Sequence, residues 1–140
     1  MNDSSGTYNV RSGVPDVATF RHLRTAAGLS DRPAAAVAAG LPHTWYGVTV
    51  HTEDGDTVGM GRIVGDGGSV FQITDVCVLP DHQGRGLGGR IMAGLTAELE
   101  RRAPAGAYVS LIADGDAHRL YARFGFTGTA PHSVGMHRLV

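Results

Sequence analysis

One passage, Ile73 to Arg90, constrains this chain more than any other. An apolar run ending in Val76-Cys77-Val78-Leu79 is followed by Pro80-Asp81-His82-Gln83, and Gly84, Gly86, Gly88 and Gly89 then crowd into six residues before an amphipathic segment begins. Strand, glycine turn and helix are read in that order. The first turn of a helix carries unpaired backbone N–H groups and a partial positive charge, so it can hold an anion. Glycines let the main chain approach a phosphate with no side chain in the way. A turn that only reversed the chain would be a costly use of them, at about 0.5–1 kcal/mol each relative to Ala where the conformation does not require Gly. The passage is therefore read as a cradle for a phosphate-bearing ligand. Its residues are Gln83, Gly84, Arg85, Gly86, Leu87, Gly88, Gly89 and Arg90, with Arg85 or Arg90 adding charge.

The flanking elements narrow the fold. Residues 1–7 read as a flexible tail and 8–140 as one domain. Tyr8–Arg11 alternates like a strand, and Val17, Phe20, Leu23 and Ala27 recur at helical spacing between Val14 and Ala27. Asp31 reads as the cap of a thin alanine-rich helix, Pro33–Ala39. Trp45–His51, Thr57–Val64 and Ser69–Val78 are strands joined by the short turns Glu53–Asp56 and Asp66–Gly68, which require an antiparallel meander. Leu87, Ile91, Leu95 and Leu99 give the next helix one buried stripe, with Glu98 and Arg102 as an i,i+4 pair on another face. Tyr108–Ala113 then runs parallel to the third meander strand, because a helix joins them. Asp116 caps a short helix, Ala117–Phe124, and Phe126-Thr127 and Val134–Arg138 are candidate final strands.

Composition excludes several classes. The chain has 140 residues, a formal net charge of −1 and 12 Lys+Arg without a dense basic run beyond Arg101-Arg102, which reads against nucleic-acid binding. Cys77 is the only cysteine, so no internal disulfide forms and a reducing, cytoplasmic compartment is expected. The polar start Met1–Gly6 reads against a secretory signal, and no apolar run suggests a membrane span. No metal-ligating cluster stands out.

Gly84-x-Gly86-x-x-Gly89 also fits the dinucleotide fingerprint, with Asp114 at the end of the following strand, where a ribose-binding acid would sit. That fingerprint normally opens a parallel, doubly wound sheet. Here three antiparallel strands precede it, Pro80-Asp81-His82-Gln83 space the strand from the glycines, and too little chain remains for further βαβ units.

Val78-x-Pro80-x-x-Gln83-Gly84-Arg85-Gly86-Leu87-Gly88 resembles the acetyl-CoA signature of the GNAT family of N-acetyltransferases, whose core is Gln/Arg-x-x-Gly-x-Gly/Ala. Leu120-Tyr121-x-x-Phe124-Gly125-Phe126 is similar to that family's second signature. The element order from about Tyr8 to Met136 follows as well. The resemblance implies a single-domain α/β (α+β) fold, with a mixed, mostly antiparallel sheet and helices on both faces. It implies acetyl-CoA as co-substrate, a small-molecule primary amine as acceptor and direct attack of that amine on the thioester. The alternative is a non-catalytic acyl-CoA-binding or sensing module of the same fold. A homodimer is compatible with the resemblance, though nothing in the chain specifies how it would form.

The resemblance also implies roles. Backbone groups of Val76 and Val78 would pair with the pantetheine arm where the two parallel strands splay, an N–H near Val76 or Cys77 would polarise the thioester carbonyl, and the cofactor set includes Asp114. Tyr121 would stabilise the departing thiolate. A tyrosine is about 1.5 pKa units weaker an acid than a thiol, so complete transfer is uphill by about 2 kcal/mol and hydrogen bonding is the larger contribution. The family often carries an acid one residue before Asp75, where this chain has Thr74. Asp75 is thus the nearest candidate base, unless strand alternation turns it to the opposite face; a bulge would reverse that. His51, His82 and His118 are the other candidates. Cys77, inside a Val-rich strand, reads as a core residue. Arg62, near Asp66, is read either as a strand arginine that sits on the solvated side or pairs with an acid, or as a contact for an anionic substrate group. Trp45, beside the thin helix, is read either as lining the acceptor cleft or as beginning a buried strand.

Overall fold

The computed structural model describes residues 7–140, so the expected tail lies, apart from Thr7, outside the described residues. The elements are β1 (Tyr8–Ser12), α1 (Val17–Ala26), α2 (Ala34–Gly40), β2 (Tyr46–Thr52), β3 (Thr57–Gly65), β4 (Val70–Val78), α3 (Leu87–Arg102), β5 (Tyr108–Leu111) and α4 (Ala117–Ala122). They build one five-stranded sheet in the order β1-β2-β3-β4-β5. The first four strands pair antiparallel and β5 joins β4 in parallel. The meander and the parallel return after α3 are those that the short turns and the helical crossover require.

Helices cover both faces. Leu87, Ile91, Leu95 and Leu99 of α3 are buried against Val48, Val50, Ile63, Phe71 and Ile73. On the other face, Phe20 and Leu23 of α1, Val37 of α2 and Leu41 close over Met60 and Cys77. The predicted Glu98–Arg102 pair forms, and Arg101 joins it from the preceding position.

The caps depart from expectation in instructive ways. Asp16 accepts from the Thr19 amide at 2.8 Å, which starts α1 at Val17 rather than Val14. Asp31 does not cap α2. Arg21 takes its carboxylate with two hydrogen bonds, at 2.8 and 3.2 Å, and α2 begins after Pro33. Asp116 stands at the N-cap of α4 but makes no side-chain cap hydrogen bond, and that helix stops at Ala122. Asp66 does not meet Arg62. Its carboxylate accepts from the Gly68, Ser69 and Val70 amides and the Ser69 hydroxyl, pinning the β3–β4 turn. Those bonds, the Gly68 amide first, hold it at about 2.

The expected final strands are absent among the described residues: beyond α4 the chain runs as turns and irregular backbone. Gly125, Gly128 and Pro131 leave no uninterrupted run around Phe126-Thr127. Val134 and Met136 have the alternation of a strand but no sheet partner, and they are 73% and 86% exposed.

Candidate active site

The site originates in a one-residue mismatch between β3 and β4. Met60 lies opposite Cys77 and Arg62 opposite Thr74, so Gly61 alone faces both Asp75 and Val76. This is a β-bulge. Asp75 adopts φ +61, a conformation that Asp tolerates better than most residues. Gly61 is required on the other side, because a Cβ there would come within 2.7 Å of Ile91 Cγ2 and 3.2 Å of Val76 Cγ2. The bulge cancels the alternation of the strand at this point. Thr74 and Asp75 consequently line the same cavity of about 160 Å³, together with Phe20, Val37, Leu41 and Arg62.

The same distortion ends the pairing with β5. The parallel ladder runs from Val70–Tyr108 to Ile73–Leu111 and stops, while β4 continues to Val78. The strands diverge from Thr74 onward, and a cleft of about 710 Å³ opens, lined among others by Thr74, Val76, Leu111, Asp114 and Tyr121. A splayed parallel pair offers backbone N–H and C=O groups to an extended, peptide-like arm.

Asp75 is buried between two arginines. Arg24 Nη1 donates to Oδ1 at 2.6 Å and Arg62 Nε donates to Oδ2 at 2.7 Å. Arg24 also donates to the Ser30 carbonyl at 2.9 Å, and Arg62 to Thr44 Oγ1 at 3.0 Å while lying over the Phe20 ring. Sequence reasoning missed Arg24. The signal was present: position 24 belongs to the apolar stripe of Val17, Phe20 and Ala27, where an arginine needs a buried partner.

Tyr121 is buried in the wall of the cleft, 8% exposed. Its hydroxyl makes no hydrogen bond among the described residues, yet no buried polar side-chain atom among them is left unpaired, so this hydroxyl opens toward the cleft. Burial first, then the charges of Asp114 and Cys77, push its pKa above the ordinary tyrosine value. It is a protonated donor at neutral pH. Leu120 and Phe124 pack against the core beside it.

The glycine turn leads directly into α3. Gly84 and Gly86 sit at φ +76 and +78, and Gly86 is the N-cap of α3, supplying no side chain to the first-turn amides. Gly88 gives room for Leu120 of α4, whose Cδ2 would lie 3.2 Å from a Cβ there. Gln83 turns back, its Nε2 donating to the Val78 carbonyl at 2.9 Å, and so braces the turn against the end of β4. Arg85 Nη1 donates to the Tyr8 hydroxyl at 2.9 Å, and that hydroxyl also meets His82 Nδ1 at 2.8 Å. No sequence pattern tied Tyr8 to the turn.

Other expected residues fall elsewhere. Trp45 packs edge-on against Phe71, ring centroids 4.7 Å apart, with the Arg102 guanidinium 4.0 Å above it. That is the α3 face, opposite the Arg62–Asp75 pair. His51 is held between Thr49 and Thr57, His82 serves Tyr8, and His118 accompanies the Gly115 carbonyl. None of these three histidines lines the cleft, whereas His137 does. Cys77 is a core residue whose burial, with the charge of Asp75, raises its thiol from the ordinary range to about 12. Among the described residues there is no group of three or more His, Cys, Asp or Glu able to hold a metal ion, and no helix is long and apolar enough to cross a membrane.

The acetyltransferase (GNAT) domain model matches residues 44–128, more than half of the chain. The chain belongs to the GNAT family. A GNAT protein of this fold has solved counterparts. One is a protein of unknown function from meticillin-resistant Staphylococcus aureus, described as a probable acetyltransferase. It is 39% identical with a TM-score of 0.90, over 95% of this chain and 99% of that one. A second, a Xanthomonas campestris pv. campestris protein assigned to the GNAT family, is 30% identical with a TM-score of 0.72, over 94% of each chain. The ribosomal-protein-S18-alanine N-acetyltransferase of Escherichia coli shares the fold at 22% identity, with a TM-score of 0.70 over 86% of this chain and 77% of that one. No curated protein matches this GNAT sequence.

Proposed function

We propose that this GNAT protein is an acetyl-CoA-dependent N-acetyltransferase that moves an acetyl group to a primary amine by direct attack on the thioester. The observation that carries this reading is the cleft beyond Ile73–Leu111, with the Gly84–Gly89 turn following β4 and the open hydroxyl of Tyr121 in its wall. The pyrophosphate of acetyl-CoA would rest on the uncapped first turn of α3, and the pantetheine arm would run along β4 past Val78 and Val76.

The amine lone pair attacks the thioester carbonyl carbon, the C–S bond breaks, and the sulfur leaves with the electron pair. Tyr121 donates its hydroxyl hydrogen bond to that sulfur. The ammonium proton of the acceptor passes to solvent at the open mouth of the cleft. Both oxygens of Asp75 already accept charge-assisted bonds from Arg24 and Arg62. Asp75 is therefore a positioning residue that holds the bulge open, rather than a proton acceptor.

Thiol release from acetyl-CoA, followed across polyamines, amino acids, aryl-alkylamines and peptide amines, tests the reading. Amine-dependent release with a matching acetylated product is expected. Saturable binding of acetyl-CoA with no release for any amine would replace the enzyme by an acyl-CoA-binding module.

A further inference from the structure

We infer that the acceptor is a short aliphatic amine carrying a carboxylate, bound through Arg62 and Arg32; this rests on the N-acetyltransferase reading above. The smaller cavity, about 160 Å³, adjoins the cleft and shares Arg32, Thr74 and Asp75 with it. At about 30 Å³ for each water-sized group, it holds about five such groups. Its floor is apolar, made by Phe20, Ala36, Val37 and Leu41, and its polar side is cationic.

The charge there is unbalanced. Arg24, Arg32 and Arg62 stand around the single carboxylate of Asp75. The nearby Asp31 is occupied by Arg21, and Asp114 lies in the wider cleft. Arg24 is consumed by Asp75 and Ser30. Arg62 uses Nε on Asp75 and Nη1 on Thr44, and Arg32 uses Nη1 on Ser30 Oγ and the Asp31 carbonyl. Among the described residues, Nη2 of Arg62 and both Nε and Nη2 of Arg32 have no hydrogen-bond acceptor. Two half-buried guanidiniums with spare N–H donors on one small cavity are chemistry for a carboxylate, and the apolar floor takes an aliphatic chain. The amine of such a molecule would reach the cleft beside Thr74.

Matched pairs of acceptors differing only in the carboxylate test this: β-alanine against ethylamine, leucine against 3-methylbutylamine, with phosphoethanolamine as a third anion. Thiol release is expected to show kcat/KM at least about tenfold higher for the carboxylate member, the scale of one charge-assisted hydrogen bond. Arg32→Gln is expected to raise KM for that member about tenfold and to leave the uncharged amines within about twofold. Arg62→Gln is expected to raise KM for that member in the same way, but because Arg62 also holds Asp75 it lowers turnover of every amine as well, so the Arg32 variant carries the test. Equal use of both members, or preference for phosphoethanolamine, overturns the inference while leaving acetyl transfer intact. If no amine is acetylated, calorimetric titration of the same pairs into the CoA-loaded protein decides. Saturable binding of the carboxylates alone upholds the anion site and removes the transferase reading, and its absence removes the anion site.

Discussion

Arg24, on the buried face of α1, donates to Asp75 of β4 at 2.6 Å across 51 positions of sequence, and both side chains are almost fully buried. The bond ties α1, beside the smaller cavity, to the strand residue at which the sheet parts. A second guanidinium, from Arg62, completes the clamp.

Asp75→Asn isolates the charge in this clamp, because Asn tolerates φ +61 as Asp does. Two guanidiniums are then left facing a neutral amide. Removing one member of a buried pair typically costs about 3–5 kcal/mol. A urea midpoint shifted by that amount, with acetyl transfer reduced in proportion to the folded fraction, is the expected outcome. A stable but inactive Asp75→Asn protein would instead return Asp75 to the role of proton acceptor.

Tyr121→Phe removes a hydroxyl that opens toward the cleft and little packing. We expect kcat to fall by about 10- to 100-fold, the lower range for a positioned acid, with acetyl-CoA affinity by calorimetry almost unchanged. An unaltered kcat would show that the hydroxyl does not serve the leaving thiolate.

Gly61→Ala would drive a Cβ to within 2.7 Å of Ile91 Cγ2 and 3.1 Å of Leu95 Cδ1. Overpacking of this kind costs about 1–3 kcal/mol. Pairing it with Ile91→Val, which removes a methyl from the opposing side chain, should return part of the loss in thermal denaturation. A neutral Gly61→Ala would mean that α3 can shift away from the bulge.

The buried Cys77 thiol gives the alkaline limb of stability a definite sign. Its folded pKa is raised to about 12, whereas an unfolded thiol ionises near about 8.5. The contribution is fully present below the unfolded value and is lost as pH rises toward the folded one, because only the unfolded chain releases its proton there. Between these limits the loss approaches about 1.4 kcal/mol per pH unit. Cys77→Val should therefore flatten the decline of urea midpoints between pH 8 and 11; an unchanged slope would assign that decline to other groups. Tyr121, raised in the same direction by burial, adds a decline of the same sign at higher pH.

Much of this was legible from residue order. Four leucines and isoleucines at spacing four announced α3, short glycine-bearing turns announced the meander, and Gln83–Gly88 announced the glycine turn that opens α3 at Gly86. What escaped depends on residues remote in sequence. The phase of β4 at Asp75 is set by Gly61 on the facing strand and Ile91 beyond it. Asp31 looked like a helix cap because the competing guanidinium of Arg21 comes from a different helix. The cleft reading of Trp45 came from its neighbours along the chain, while the side of the sheet it occupies is decided by Phe71. Val134 and Met136 have strand periodicity, but periodicity alone does not supply a partner strand.

The bulge has one further consequence. Before it, odd-numbered residues of β4, Phe71 and Ile73, point to the α3 side; after it, even-numbered Val76 and Val78 do so. The strand thus changes parity once, midway, and everything downstream inherits the change. Deleting a single residue between Thr74 and Val76 would restore regular alternation and turn the side chains of Val76 and Val78 away from α3. The side of the sheet to which the end of β4 presents its side chains is, in this sense, counted out nine residues before Gly84.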